Sequence, residues 1–123
     1  MSTTVIQRVA GFLFFIDVLL MTVLALKPMH IEGDITHVDK FLHFFAYFVL
    51  AGLAFLYARR FKPFLNWCFA LLVYGGVIEY LQSFMPGRYM SFADFIANAC
   101  GIAAMILLAR MYQAKKSRLA QAA

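Results

Sequence analysis

The sequence predicts an all-α fold: a four-transmembrane-helix bundle with both termini cytoplasmic. Three observations predict it. Of the 123 residues, 64% are hydrophobic and only 14% charged. Long apolar runs recur at four places, and Lys and Arg gather on one side of them. The apolar share of a soluble domain is about 45–50%. A core of this length could not hide 14 Phe and 6 Tyr among so many aliphatic residues, so water would meet large apolar patches. One membrane domain over residues 1–123 is expected.

The four runs are Val9 to Leu26, Phe41 to Ala58, Phe64 to Leu81 and Phe92 to Ala109. Each approaches the 17–25 or so helical residues that cross hydrocarbon. The first has Arg8 before it and a small-residue site of sorts at Val23-Leu24-Ala25 near its end, as a signal peptide would. Asp17 in its middle and three further spans favour a retained helix. Lys27-Pro28 closes this run, because Pro disfavours helix at the residue before it. Pro63 punctuates the connection between the second and third runs. Met85-Pro86-Gly87-Arg88 reads as a turn, with Pro presetting its own φ and Gly supplying positive φ. Residues 110–123 read as a basic cytoplasmic tail.

Orientation follows from the cations, since positively charged flanks stay in the cytoplasm. Arg8, Arg59, Arg60, Lys62, Arg110, Lys115, Lys116 and Arg118 fall on one side of the spans; Lys27, Lys40 and Arg88 fall on the other. The formal charge of +5 is therefore a topology signal, with membrane lipids as the partner of the inner cations. Nucleic acid is not an expected partner, because these residues share no single aqueous face. The localisation expected is the bacterial cytoplasmic membrane. Cys68 and Cys100 both lie in apolar runs and read as buried small hydrophobes, not as a disulfide or zinc pair.

Ionisable residues inside a membrane are costly, about 2.5–3.5 kcal/mol even on insertion scales, and so point to function. His43 and Tyr47 share one face of the second helix, Glu79 and Gln82 one face of the third, and Asp94 and Asn98 one face of the fourth. At 1.5 Å per residue, His43, Glu79 and Asp94 lie within roughly one turn of the outer boundary. Tyr47 and Asn98 lie about 9 Å inside it and Asp17 about 13 Å, a deeper layer. Lipid offers no hydrogen-bond partners, so these faces must turn inward together. The expectation is an outward-facing polar pocket, with Lys40 and Arg88 at its rim. Ala93, Ala97 and Gly101 form a small-residue stripe for close helix packing. In the first outer loop, His30, Glu32, Asp34 and His37 fit no ligand spacing. No metal site is expected, and no cofactor is assigned.

In order, Asp39-Lys40, His43, Tyr47 and Leu50, then Tyr74-Gly75, Glu79, Gln82, Pro86-Gly87-Arg88, Ser91, Asp94, Asn98 and Gly101 resemble the motifs of the VanZ-like family. The match runs from Asp39 to Gly101 and leaves Asp17 outside it. The family takes its name from a protein associated with teicoplanin resistance, which implies a cell-envelope role and supplies no established reaction, substrate or cofactor.

Three functions follow as expectations. In the first, Asp39, Lys40, His43, Tyr47, Glu79, Gln82, Arg88, Ser91, Asp94 and Asn98 bind an anionic envelope lipid, a lipid-linked cell-wall precursor or a glycopeptide. In the second, the protein is an outer-leaflet hydrolase or transferase using His43 with Glu79 or Asp94, with Ser91 or His43 as nucleophile. In the third, the cluster is a structural clamp without a ligand. A transporter is disfavoured by the lack of an inverted repeat.

Overall fold

A computed structural model describes residues 2–28 and 36–123. It has four helices: α1 (Thr3–Ala25), α2 (Thr36–Ala58), α3 (Phe61–Gln82) and α4 (Phe92–Ala122), with no strand among the described residues. All four are long and apolar enough to cross a membrane. His30, Glu32 and Asp34 of the first loop lie outside the described residues, whereas His37 stands exposed in the first turn of α2.

The helices outrun the apolar segments at five of their eight ends. α1 begins at Thr3, where the Ser2 hydroxyl accepts from the Val5 amide, a side-chain cap for an otherwise unpaired donor. α2 begins at Thr36 rather than Phe41, so Asp39 and Lys40 sit on its first turns and not before it. Asp39 there complements the positive end of the helix dipole. α4 continues to Ala122, so the basic tail expected after Ala109 is helical. Its Gln, Ala, Lys, Arg and Leu are good helix formers, and the backbone ladder does not end where hydrocarbon does.

Pro63 lies inside the first turn of α3 rather than in the connection, where its missing N–H removes no helical bond. The reversal from α2 is made four residues before Pro63, by Arg59 with φ 56°, a left-handed conformation uncommon without glycine. The turn expected at Met85-Pro86-Gly87-Arg88 is present: the Arg88 amide donates to the Met85 carbonyl at 3.1 Å and Gly87 has φ 75°. That is the type II pattern, Pro first and Gly second.

α2 is the packing hub, with its most extensive interface against α4 and others against α1 and α3. Leu50, Ala51 and Ala54 on its inward face are wholly buried, as is Phe64 of α3. Gly101 sets the α2–α4 crossing: a Cβ there would overlap the Phe44 carbonyl oxygen, so only glycine lets the two backbones approach this closely. Of the small-residue stripe, Gly101 is buried and Ala97 half-buried, while Ala93 faces outward. α1 meets the bundle through Phe14, which packs edge-on to Trp67 at 5.3 Å, and through Gly11 beneath the Tyr57 ring.

The outer surface is apolar, with Phe12, Leu19, Phe41, Phe69 and Leu107 all more than half exposed. Lipid tails are as apolar as the core, so hydrophobicity alone does not tell inside from outside in such a chain. Cys100 illustrates this. It was expected to be buried like Cys68, and instead faces outward from α4.

Candidate functional site

α2 and α4 bring their first turns, and α3 its last, to one end of the bundle. There the residues expected to act together divide into two groups.

The first group is a cluster on α2, α3 and α4. His43 Nδ1 lies 3.0 Å from Asn98 Oδ1 and 3.9 Å from Glu79 Oε1. With the amide oxygen turned toward the ring, Nδ1 carries the proton and donates it to Asn98. Nε2 then faces Asp39 Oδ1 at 3.7 Å, one helical turn back on the same helix. Lys40 Nζ lies 3.5 Å from Asp94 Oδ1. The supposed upper and lower polar layers are thus one connected unit, because Asn98 reaches up to His43.

The start of α4 is built into this cluster. Ser91 caps the helix, its hydroxyl accepting from the Asp94 amide at 3.2 Å, while its own amide donates to Glu79 Oε2 at 3.1 Å. Both polar groups of Ser91 are therefore occupied by positioning. Tyr47 is buried one turn below His43, and its hydroxyl converges with the Asn98 amide nitrogen over Gly75. A Cβ there would stand 3.1 Å from one and 3.3 Å from the other. Gly75 makes room for both.

Burial raises the stakes of every missing partner. Glu79 is 1% exposed and Asn98 1%, with Asp94 at 8%. Within this otherwise bonded unit, Glu79 Oε1 and Asp94 Oδ1 are buried without a hydrogen bond. The Lys40 ammonium stands near the second, and His43 near the first, each beyond good hydrogen-bonding distance.

The second group clasps the end of α1. Gln82 donates to the Ala25 carbonyl at 3.0 Å; Arg88 donates through Nε to the Lys27 carbonyl at 2.8 Å and through a terminal nitrogen to that of Leu24 at 3.0 Å. These are carbonyls that a helix end leaves unpaired, and the guanidinium also complements the dipole there. Arg88, expected at the rim to hold an anion, is committed to this cap. Arg88→Ala is expected to cost about 1.5 kcal/mol, the lower end for charged hydrogen bonds because the site is half open. Amide hydrogen exchange would read it as faster exchange over Thr22–Leu26, with the core of α2 unchanged.

Below the clasp, the Tyr74 hydroxyl is within reach of Thr22 at 2.8 Å and of the Val18 carbonyl at 3.2 Å, and its one proton serves one of them at a time. Asp17 is half-buried one turn away, within electrostatic reach of Tyr74. The α1–α3 polar contact thus rests on Thr22 with Tyr74 as well as on Gln82 with Ala25. Nothing in the spacing of Thr22 singled it out, because a threonine inside a membrane helix ordinarily bonds its own backbone, as this one also does to Val18 at 2.8 Å.

Four apolar helices, three of which share a partly buried cluster of His, Asp, Glu and Asn at one end, define a multi-pass membrane protein with a polar site in its helix bundle. The chain belongs to the VanZ/LLP1 family, whose model matches residues 3–113. That match is wider than the Asp39 to Gly101 motifs and takes in α1 with Asp17 and Thr22. No curated protein and no solved structure matches the chain.

Proposed function

We propose that this protein sits in the bacterial cytoplasmic membrane with both termini inside, and binds the polar headgroup of an envelope lipid or lipid-linked cell-wall precursor at its outer face. The observation that carries the reading is the pair of buried, unbonded carboxylate oxygens, Glu79 Oε1 and Asp94 Oδ1, in a cluster whose other groups are held in place. Buried acceptors of this kind suit a ligand that brings hydroxyl or ammonium donors, which lipid headgroups and sugar-bearing precursors carry. Lys40, about one-third exposed, is placed to swing from Asp94 to the ligand's phosphate. The orientation rests on the eight cations grouped at the other end. Glycopeptides act on the same face and the same precursors, so altered glycopeptide sensitivity is the cellular effect to look for.

The catalytic alternative draws less support. Ser91 Oγ, the hydroxyl among the candidates, is engaged as the cap of α4.

The test is photocrosslinking in liposomes that contain a photoactivatable phosphatidylethanolamine or an undecaprenyl-linked precursor. Asp94→Asn is expected to lower the crosslink at least about fivefold, the loss of about 1 kcal/mol from one charge-assisted hydrogen bond. Equal labelling of wild type and Asp94→Asn by both probes would overturn the reading.

A further inference from the structure

We infer that Asp39, His43 and Asp94 form a binding site for a divalent transition-metal ion, with Zn²⁺ the best fit. One donor atom from each lies within 4.8 Å of the other two. Three ligands around zinc, at bonds of about 2.0–2.2 Å, stand roughly 3.4 Å apart. The Asp39 to His43 distance of 3.7 Å is close to that, and Asp94, whose donor lies within 4.8 Å of both, completes the set by closing at most about 1.4 Å.

Three features of the arrangement point to a cation rather than to a chance meeting of acids. The first is the imidazole. Asn98 Oδ1 engages Nδ1, which leaves Nε2 directed toward Asp39. A second-shell hydrogen bond that fixes the tautomer and aims the other nitrogen is the usual support of a histidine metal ligand. The second is the spacing: Asp39 and His43, four residues apart, project from one face of α2, as two ligands on one helix do. The third is Asp94, 8% exposed, which offers a carboxylate oxygen to the same group and whose Oδ1 makes no hydrogen bond beside its ion pair with Lys40 at 3.5 Å.

The charge balance agrees. Asp39, Asp94 and nearby Glu79 bring three carboxyl groups to this end of the bundle, with Lys40 as the ammonium beside them. Lys40 occupies the cation's side of Asp94 at 3.5 Å. It is the group a metal would displace, and its position on the second turn of α2 lets it move to the surface. One imidazole with two carboxylates suits zinc better than magnesium, which takes oxygen ligands and keeps its waters. Three protein ligands leave zinc an open fourth position.

This site goes beyond the headgroup proposal and does not depend on it, because the ion can be added without lipid. The experiment is isothermal titration of ZnCl₂ into the purified full-length protein in detergent, after chelator treatment. Wild type is expected to bind one ion. Asp39→Asn, at a residue open enough to leave the fold intact, is expected to weaken it at least tenfold, and His43→Gln likewise, since even outer-shell changes at metal sites cost about 10–100-fold. Lys40→Met removes the competitor and is expected to tighten binding. MgCl₂ is expected to give no comparable signal. Absence of zinc binding by both wild type and Lys40→Met overturns the proposal, as does equal affinity in wild type, Asp39→Asn and His43→Gln. The lipid crosslink, scored separately, then stands or falls on its own.

Discussion

Gly101→Val should leave little folded protein, and Gly101→Ala should lower the thermal unfolding midpoint in detergent well below that of wild type. A Cβ at residue 101 meets backbone, not side chain: it would overlap the Phe44 carbonyl oxygen and stand 3.0 Å from the Phe48 amide nitrogen. Backbone cannot rotate away as a side chain can, so the only relief is to push α2 and α4 apart. Theirs is the most extensive interface in the molecule, and separating them also pulls His43 from Asn98. Overpacking costs about 1–3 kcal/mol where side chains can adjust, and Ala should reach the upper end of that range here. Gly76→Ala is the control. A Cβ there meets the Phe95 ring at 3.5 Å, an ordinary contact, and replacing a helical glycine gains about 0.5–1 kcal/mol. A Gly101→Ala protein as stable as Gly76→Ala would show that the crossing does not need glycine.

Glu79→Gln and Glu79→Leu should separate ligand binding from structural clamping. The carboxylate does two things: Oε2 accepts from the Ser91 amide at the start of α4, and Oε1 faces the His43 ring without a hydrogen bond. Glutamine keeps an oxygen for Ser91 and removes the charge. Its unfolding midpoint should stay within a few degrees of wild type, while lipid crosslinking per folded molecule falls at least fivefold. Leucine loses both oxygens and strands the Ser91 amide, a cost of about 1–3 kcal/mol, so stability and crosslinking should fall together. If glutamine destabilises as much as leucine and crosslinking per folded molecule is unchanged in both, the cluster is a clamp.

Several features of the fold were legible without coordinates because each rests on a local cause. Apolar length announced the four spans, and Pro86-Gly87 announced its turn, since fixed φ and permissive φ are properties of those two residues. Helix ends were less legible. Apolar runs mark where lipid is, whereas helices end where backbone donors and acceptors find other partners, as Ser2 and Ser91 provide. The exposure of Cys100 was illegible for a related reason: with lipid outside and apolar packing inside, a small hydrophobe is at home on either side.

The candidate site divides along similar lines. His43, Glu79, Asp94 and Asn98 stood out because charge and amide groups are expensive in hydrocarbon, and helical spacing put each on a face with its neighbour. Their pairing did not follow from that. Arg88 and Gln82 had the same polar character and matching depth, yet they bond the carbonyls at the end of α1. The metal-ligand set was hidden for the same reason, since Asp94 comes from a different helix than Asp39 and His43 and no linear motif contains it.

By itself, the sequence determined that this chain is a four-helix membrane protein of the VanZ/LLP1 family with an intramembrane group of His, carboxylates and amide. These are consequences of hydropathy, charge cost and residue order. Only the tertiary structure decided which polar residue meets which: His43 with Asn98, Glu79 with Ser91, Lys40 with Asp94, and Arg88 with α1. The physical reason is that a membrane obliges polar groups to find partners inside the protein. Helix rotation and the close approach at Gly101 choose among the partners available.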